Sequence, residues 1–289
     1  MRRIGHGLKK ACSIVMAAVF VTGVMGCGKA GSLPDMSSMG KINVIAREDG
    51  SGTKNEFYRL IGLSDGTQSG GVDNIAGSTD DMCKMISDDK NAIGYVAYDS
   101  IKDKSDVKVL SVNGKKPDND TIRFNQYPLI RNYYIAYQGE PEGLMQDFIR
   151  YVMSAGQEIV GKSCVAVNDS AVFLSDKSSG KITIGGSSSV APIMKELIDD
   201  YKKYNPDAEL ELVVSDSSDG LNKAINGQLD IAISSRELKD YENTLLNKRA
   251  IGKDAIAVIV NADNPADNLT KAQLKKIYSG KADTWQGLR

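Results

Sequence analysis

At three places in this chain an apolar strand pattern runs into a loop of Ser, Gly and Asp that opens an amphipathic helix. In the first, Val44-Ile45-Ala46 leads into Arg47-Glu48-Asp49-Gly50-Ser51-Gly52-Thr53. In the second, Ile182-Thr183-Ile184 leads into Gly185-Gly186-Ser187-Ser188-Ser189, with Pro192 near the helix start. In the third, Leu212-Val213-Val214 leads into Ser215-Asp216-Ser217-Ser218-Asp219-Gly220. The first turn of a helix carries N–H groups with no partner inside the helix, and the helix dipole adds partial positive charge there. Glycine lets backbone approach closely, and hydroxyls add rotatable donors. The chemistry of such a junction is anion binding. One copy alone is better explained as an ordinary Ser cap. Three copies at strand carboxyl ends, where α/β folds place ligands, point to a shared anion site. Arg47 adds a planar fork that can grip two oxygens of a tetrahedral oxyanion, and Asp49 is the expected second partner holding that guanidinium.

The elements that must position these loops alternate between strand and helix, which predicts an α/β fold with mainly parallel pairing. Strands are expected at 41–46, 92–97, 107–112, 182–185, 209–214, 229–233 and 256–260. Helices are expected after the first loop on Phe57, Leu60 and Ile61, over 143–155, and on Ile193, Met194, Leu197, Ile198 and Tyr201. Two more are expected at 220–226 and 271–278. A polar patch at 175–181 separates two halves, with no internal repeat between them.

Other chemistries lack their residues. The only histidine is His6, so the rest of the chain has no imidazole for a catalytic triad, a general base or a zinc site. The spacing matches neither a nucleotide P-loop nor a G-x-S-x-G elbow. Acidic residues are scattered, which gives no support to a calcium loop or a paired-carboxylate hydrolase. No enzyme activity, metal or cofactor is expected. A net charge of −1 argues against nucleic-acid binding.

The N-terminus reads as an export signal. Arg2, Arg3, Lys9 and Lys10 precede an apolar run at 11–24, short of the roughly 20 residues a spanning helix needs. Residues 1–26 are expected to be the signal peptide. Val24-Met25-Gly26-Cys27 resembles a bacterial lipobox, so Cys27 is the expected lipidation site and the cell membrane's outer face the expected location. Residues 28–40 are rich in Gly, Ser and Met, which makes 27–40 an expected flexible tether. Cys83 and Cys164 remain, either as a disulfide or as two separate buried thiols.

The first loop, Arg47-Glu48-Asp49-Gly50-Ser51-Gly52-Thr53, resembles the R-x-D-G-S-G-T signature of phosphate-binding proteins from phosphate ABC transporters, and the similarity extends through Gly94-Tyr95-Val96. The resemblance implies a two-lobed, periplasmic-binding-protein-like α/β fold that closes on one desolvated phosphate. It implies a monomer whose partners are inorganic phosphate, the permease subunits of an ABC transporter and, through lipid, the membrane. Arg47, Ser51, Gly52 and Thr53 would contact phosphate from one lobe. Ser188, Ser189 and Val190, with Ser217 and Ser235, would contact it from the other.

Two departures accompany the resemblance. The family's usual loop order is reversed, and the segment at 285–289 normally precedes the arginine strand. This implies a circular permutation, with lobes at 41–128 plus 260–289 and at 129–259. Ser235 also stands where many relatives carry an aspartate that accepts the proton of hydrogen phosphate. Asp216 is the candidate to take that role; without an acceptor, discrimination against sulfate lapses. A sensor or scavenger that binds phosphate or another oxyanion without feeding a transporter is the alternative function.

Overall fold

The computed structural model describes residues 34–63, 70–102 and 104–288. The expected signal peptide and Cys27 lie outside these residues. Of the expected tether, residues 34–40 are described, and they do not hang free. Met36 and Met39 are 0% and 5% exposed and pack with Ile42 and Trp285, so the fold begins before Lys41. Their thioether side chains make this part of the segment core rather than linker.

A hydrogen-bonded sheet of ten strands runs through the molecule. Its main path is Asn74–Ala76, Asn43–Arg47, Ala92–Ala97, Asn247–Asn261, Ile130–Tyr137, Ile231–Ser234, Lys181–Ser187 and Glu209–Ser215. Pairing is parallel around Asn43–Arg47 and around Lys181–Ser187. It is antiparallel in the middle, where Asn247–Asn261 pairs with Ala92–Ala97 on one side and Ile130–Tyr137 on the other. The mainly parallel expectation therefore holds only toward the ends. Two strands pass between the lobes in opposite directions, and neither full length was expected. Ile130–Tyr137 was not anticipated, and only 256–260 of the fifteen-residue strand was.

Inside its exposed edge strands, each lobe's part of the sheet buries apolar side chains on both faces, as strands covered by helices must. Side chains alternate between faces. Val44, Tyr95, Ile256 and Val258 join Phe57, Tyr278 and Trp285 on one face of the first lobe. Ile45, Val96, Ala257 and Ile259 join Met82 and Ile86 on the other. In the second lobe Ile135, Ile182, Ile184 and Ile233 pack with Phe148, Leu197 and Tyr201, while Ala136 and Ala232 face Leu221 and Ala224. Ile251 belongs to the second lobe's core and Ala255 to the first. That strand therefore contributes to both cores. The two cysteines are free and buried in different lobes, which resolves the open alternative as separate thiols.

The described chain ends lie side by side. Lys41 bridges to Thr284, Ile42 N donates to Asp283 O at 2.8 Å, and Trp285 Nε1 donates to Asn91 O at 3.0 Å. Among the described residues no helix is long and apolar enough to cross a membrane.

The second lobe is pinned by a buried carboxylate. Asp147 accepts from Ser175 Oγ and Tyr201 Oη at 2.6 Å each, from the Asp176 amide at 3.2 Å, and from Arg150. Burial alone would push this carboxyl up, but those hydrogen bonds and the Arg150 charge hold it below the ordinary carboxylate value. A lowered folded pKa stabilises fully above the unfolded value and loses that contribution as pH falls through the folded one. Asp147→Asn is expected to flatten the acid limb of stability against pH in urea titrations. An unchanged acid limb would show that Asp147 does not drive it.

Candidate oxyanion site between the lobes

The strand Asn43–Arg47 delivers Arg47 to the boundary between the lobes. Its last amide donates to Tyr95 Oη at 3.2 Å, and Tyr95 stacks on Phe57 with ring centroids 4.0 Å apart, so the strand end is fixed against the core. Gly50 turns with φ +88°, and Ser51 caps the helix Gly52–Ile61 by accepting from Lys54 N at 3.3 Å. Arg47 is 1% exposed. Its Nε and Nη2 each donate to the Glu48 carboxylate at 2.7 Å. The expected Asp49 partnership is not present. Asp49 points into solvent and pairs with Lys54 at 2.6 Å, while the longer Glu48 side chain folds back onto the guanidinium. Arg47 Nη1 is buried with no hydrogen-bond partner among the described residues.

The second loop arrives from the other lobe. Gly186 has φ +127°, and a Cβ there would sit 2.5 Å from Ile233 O, so only glycine lets the loop lie against its neighbouring strand. The following helix, Ala191–Tyr204, starts at Val190 without a side-chain cap. The Val190 amide, an expected ligand contact, instead donates to Ser187 O at 3.1 Å. Ser188 Oγ lies 3.4 Å from Arg47 Nη2, across the cleft.

The third junction differs from its expected role. Asp216 Oδ1 accepts from Ser218 N and Asp219 N at 2.8 Å each, so the helix Ser217–Ile225 is capped by its own carboxylate. That oxygen is engaged in capping, and the carboxylate faces Gly50, where a Cβ would lie 2.7–2.8 Å from its atoms. This loop supplies hydroxyls rather than open amides. Ser218 Oγ donates to Gly50 O at 3.1 Å and accepts from Arg236 Nη2 at 3.1 Å, and Arg236 is itself held by the buried Glu242.

Between these loops lies a buried group of hydroxyls drawn from both lobes. Thr53 Oγ1 is 3.0 Å from Ser189 Oγ. Ser187 Oγ donates to Ser235 Oγ at 2.9 Å, and Ser217 Oγ lies 3.4 Å from the same atom while accepting from Ser235 N at 3.1 Å. Gly52 touches this group so closely that a Cβ would stand 2.2 Å from Ser217 Oγ. Arg47, Gly52 and Thr53 thus meet Ser188, Ser189, Ser217 and Ser235 across the boundary, while Ser51 caps its own helix and Val190 packs into the second lobe's core.

The sequence reading missed Arg131 and Asp254. Arg131 Nη1 donates to Thr53 Oγ1 at 2.7 Å and lies 3.5 Å from Ser235 O. Its Nε and Nη2 pair with Asp254 Oδ2 at 3.2 and 3.1 Å, and Tyr133 Oη donates to that oxygen at 2.6 Å. All are buried. Burial works against the Arg131 charge, but Tyr133 and Asp254 more than offset it and raise the guanidinium's pKa. The available signal was one charged residue in each of two otherwise apolar strand patterns, Ile130–Tyr137 and Asn247–Asn261.

A family model of the PBP superfamily domain matches residues 34–155 and 171–287. The phosphate-binding protein PstS 2 of Streptococcus pneumoniae is 34% identical over 292 residues, covering 97% of this chain and 99% of its own length. The chain belongs to the phosphate-binding proteins of the PBP superfamily. PstS 2 of Streptococcus agalactiae is 36% identical over 288 residues, covering 95% of this chain and 98% of its own. Among solved structures, a phosphate-binding protein of a phosphate ABC transporter from S. pneumoniae superposes with a TM-score of 0.72 at 34% identity. It covers 86% of this chain and 100% of its own. For this phosphate-binding-protein family member, fold and superfamily are thus fixed by matches across both lobes.

Proposed function

We propose that this protein captures one inorganic phosphate between its lobes outside the cytoplasm and delivers it to the permease of an ABC transporter. The observation that carries the reading is Arg47 Nη1, a buried cationic donor with no hydrogen-bond partner among the described residues, beside hydroxyls from both lobes. A buried donor of that kind costs free energy until an acceptor meets it, and a tetrahedral oxyanion supplies several acceptors at once. The expected contacts Arg47, Ser51, Gly52, Thr53, Ser188, Ser189, Val190, Ser217 and Ser235 belong to this proposal. So do a monomeric state and anchoring by lipid on Cys27 at the outer face of the membrane. Residues 41–42 lying beside 283–284 support the permutation, since a link between those two segments would restore the family's usual loop order. The similarity to a transporter's binding protein favours delivery over sensing.

The test is calorimetric titration with phosphate. Wild-type protein is expected to bind one phosphate, and Arg47→Ala to lose about 1.5–3 kcal/mol, the range for hydrogen bonds to charged groups. Wild-type affinity in that variant would remove Arg47 from the site.

A further inference from the structure

Ser218 lies outside the set of proposed phosphate contacts, yet it joins the lobes. Its Oγ, in the second lobe, donates to Gly50 O in the first at 3.1 Å. Chemistry fixes the direction of that bond. Arg236 Nη2 lies 3.1 Å from the same oxygen, and a guanidinium can only donate. The Ser218 oxygen therefore accepts from Arg236 and keeps its own hydrogen for the Gly50 carbonyl. The groups behind Ser218 all belong to the second lobe. Asp216 Oδ1 caps the helix Ser217–Ile225 through the Ser218 and Asp219 amides, which fixes where the hydroxyl starts. Arg236 is 3% exposed and Glu242 0%. The two Glu242 oxygens take Nη1 and Nη2 at 2.8 Å each, and the Lys239 amide donates to the same carboxylate at 2.7 Å. Burial pushes the Glu242 carboxyl up, but Arg236 and the Lys239 amide hold it below the ordinary value. The pair stays charged at neutral pH, and its charge-assisted bonds keep the guanidinium in place. A cation donating to a hydroxyl also polarises it and strengthens the bond that hydroxyl gives. Across the cleft, Gly50 offers a close seat. Its φ is +88°, and a Cβ there would stand 2.7–2.8 Å from the Asp216 carboxylate atoms.

We propose that Ser218 is a closure latch, held ready by Arg236 and Glu242 to bind the Gly50 carbonyl when the lobes shut, and that it sets how long phosphate is retained. The inference rests on the phosphate reading of the cleft and goes beyond it. Opening the lobes leaves the Arg236–Glu242 pair and its bond to Ser218 whole, because all three residues move together. Only the bond to Gly50 breaks. The latch therefore stabilises the closed form alone, and a ligand held between the lobes leaves only after they part. Its free energy adds to the barrier for release. Capture starts from the open form, where the latch is not made, so association is nearly untouched. The latch also touches no ligand atom. Any ion that the closed form encloses is held longer by the same factor, and the preference between ions does not change.

The experiment measures release of radiolabelled phosphate by rapid filtration and affinity by calorimetry, with the association rate taken from their ratio. Ser218→Ala keeps the amide that Asp216 caps and removes only the hydroxyl. It is expected to release phosphate about three- to tenfold faster, the effect of one ordinary hydrogen bond, with association within about twofold of wild type. The ratio of arsenate to phosphate affinity should stay at its wild-type value. Arg236→Lys keeps a charge facing Glu242 but loses the fork that reaches both Glu242 and Ser218. It should also speed release, and it should add nothing in the Ser218→Ala background, because its effect runs through that hydroxyl. An additive effect there would remove Arg236 from the latch. A wild-type release rate in Ser218→Ala overturns the proposal, as does slower association with unchanged release. A changed arsenate-to-phosphate ratio would make Ser218 a ligand contact and overturns it too. Failure of wild-type protein to bind phosphate is a separate result, and it would overturn the reading of the cleft on which the latch rests.

Discussion

Replacing Gly52 with alanine is expected to remove phosphate binding while leaving each lobe folded. The added Cβ would stand 2.2 Å from Ser217 Oγ, 2.6 Å from Ser235 Oγ and 2.9 Å from Ser217 Cβ. Those atoms belong to the opposite lobe, and all three residues are buried where the lobes meet. Neither serine has an easy alternative rotamer, because Ser217 Oγ accepts from Ser235 N and Ser235 Oγ accepts from Ser187. The strain is relieved only by moving the lobes apart, which separates Thr53 from Ser189 and Arg47 from Ser188. Overpacking of this kind costs about 1–3 kcal/mol, and broken ligand contacts add to it. A drop in phosphate affinity of at least about tenfold is expected by calorimetry. The thermal midpoint without ligand should stay near that of wild type. Gly161→Ala is the control, a helical position where a Cβ would meet only Ala166 Cβ at 3.9 Å. Full phosphate affinity in Gly52→Ala would mean that the lobes do not meet at Gly52 when ligand is bound.

The second large effect concerns stability. Asp254→Ala leaves Arg131 as a buried charge without its partner, both side chains being 0% exposed. Breaking a buried pair from one side costs about 3–5 kcal/mol, whereas removing both charges together is often nearly neutral. Asp254→Ala is therefore expected to lower the urea midpoint strongly. Arg131→Met with Asp254→Asn should recover most of the loss. A single variant as stable as the double one would show that water reaches Arg131 in the folded protein.

The sequence exposed the anion loops because their chemistry is local. Ser, Gly and Arg at a strand end carry the same meaning whatever packs against them. Phe57, Leu197 and Tyr201 were equally legible through helical spacing, and all three lie in the cores. What stayed hidden depended on distant partners. Arg131 and Asp254 interrupt two apolar strands and look there like strand ends; only the pairing of Ile130–Tyr137 with Asn247–Asn261 brings them together. The choice of Glu48 over Asp49 for Arg47 turns on which side chain the Gly50 turn sends outward. The third junction resembled the other two in composition, yet Asp216 closes it from within. Met36 and Met39 looked like tether because a short run shows no period, and their burial comes from the far end of the chain at Trp285.

The seam between residues 40–42 and 283–285 also settles how the molecule carries mechanical load. A pull at the N-terminal end enters through the Lys41–Thr284 bridge and the Ile42–Asp283 hydrogen bond, then spreads into the sheet through Asn43–Arg47 and Ala92–Ala97. Neither Ile130–Tyr137 nor the second-lobe part of Asn247–Asn261 lies on that route. A load applied there would be borne by the first lobe, and the two strands that cross between the lobes would stay off its path.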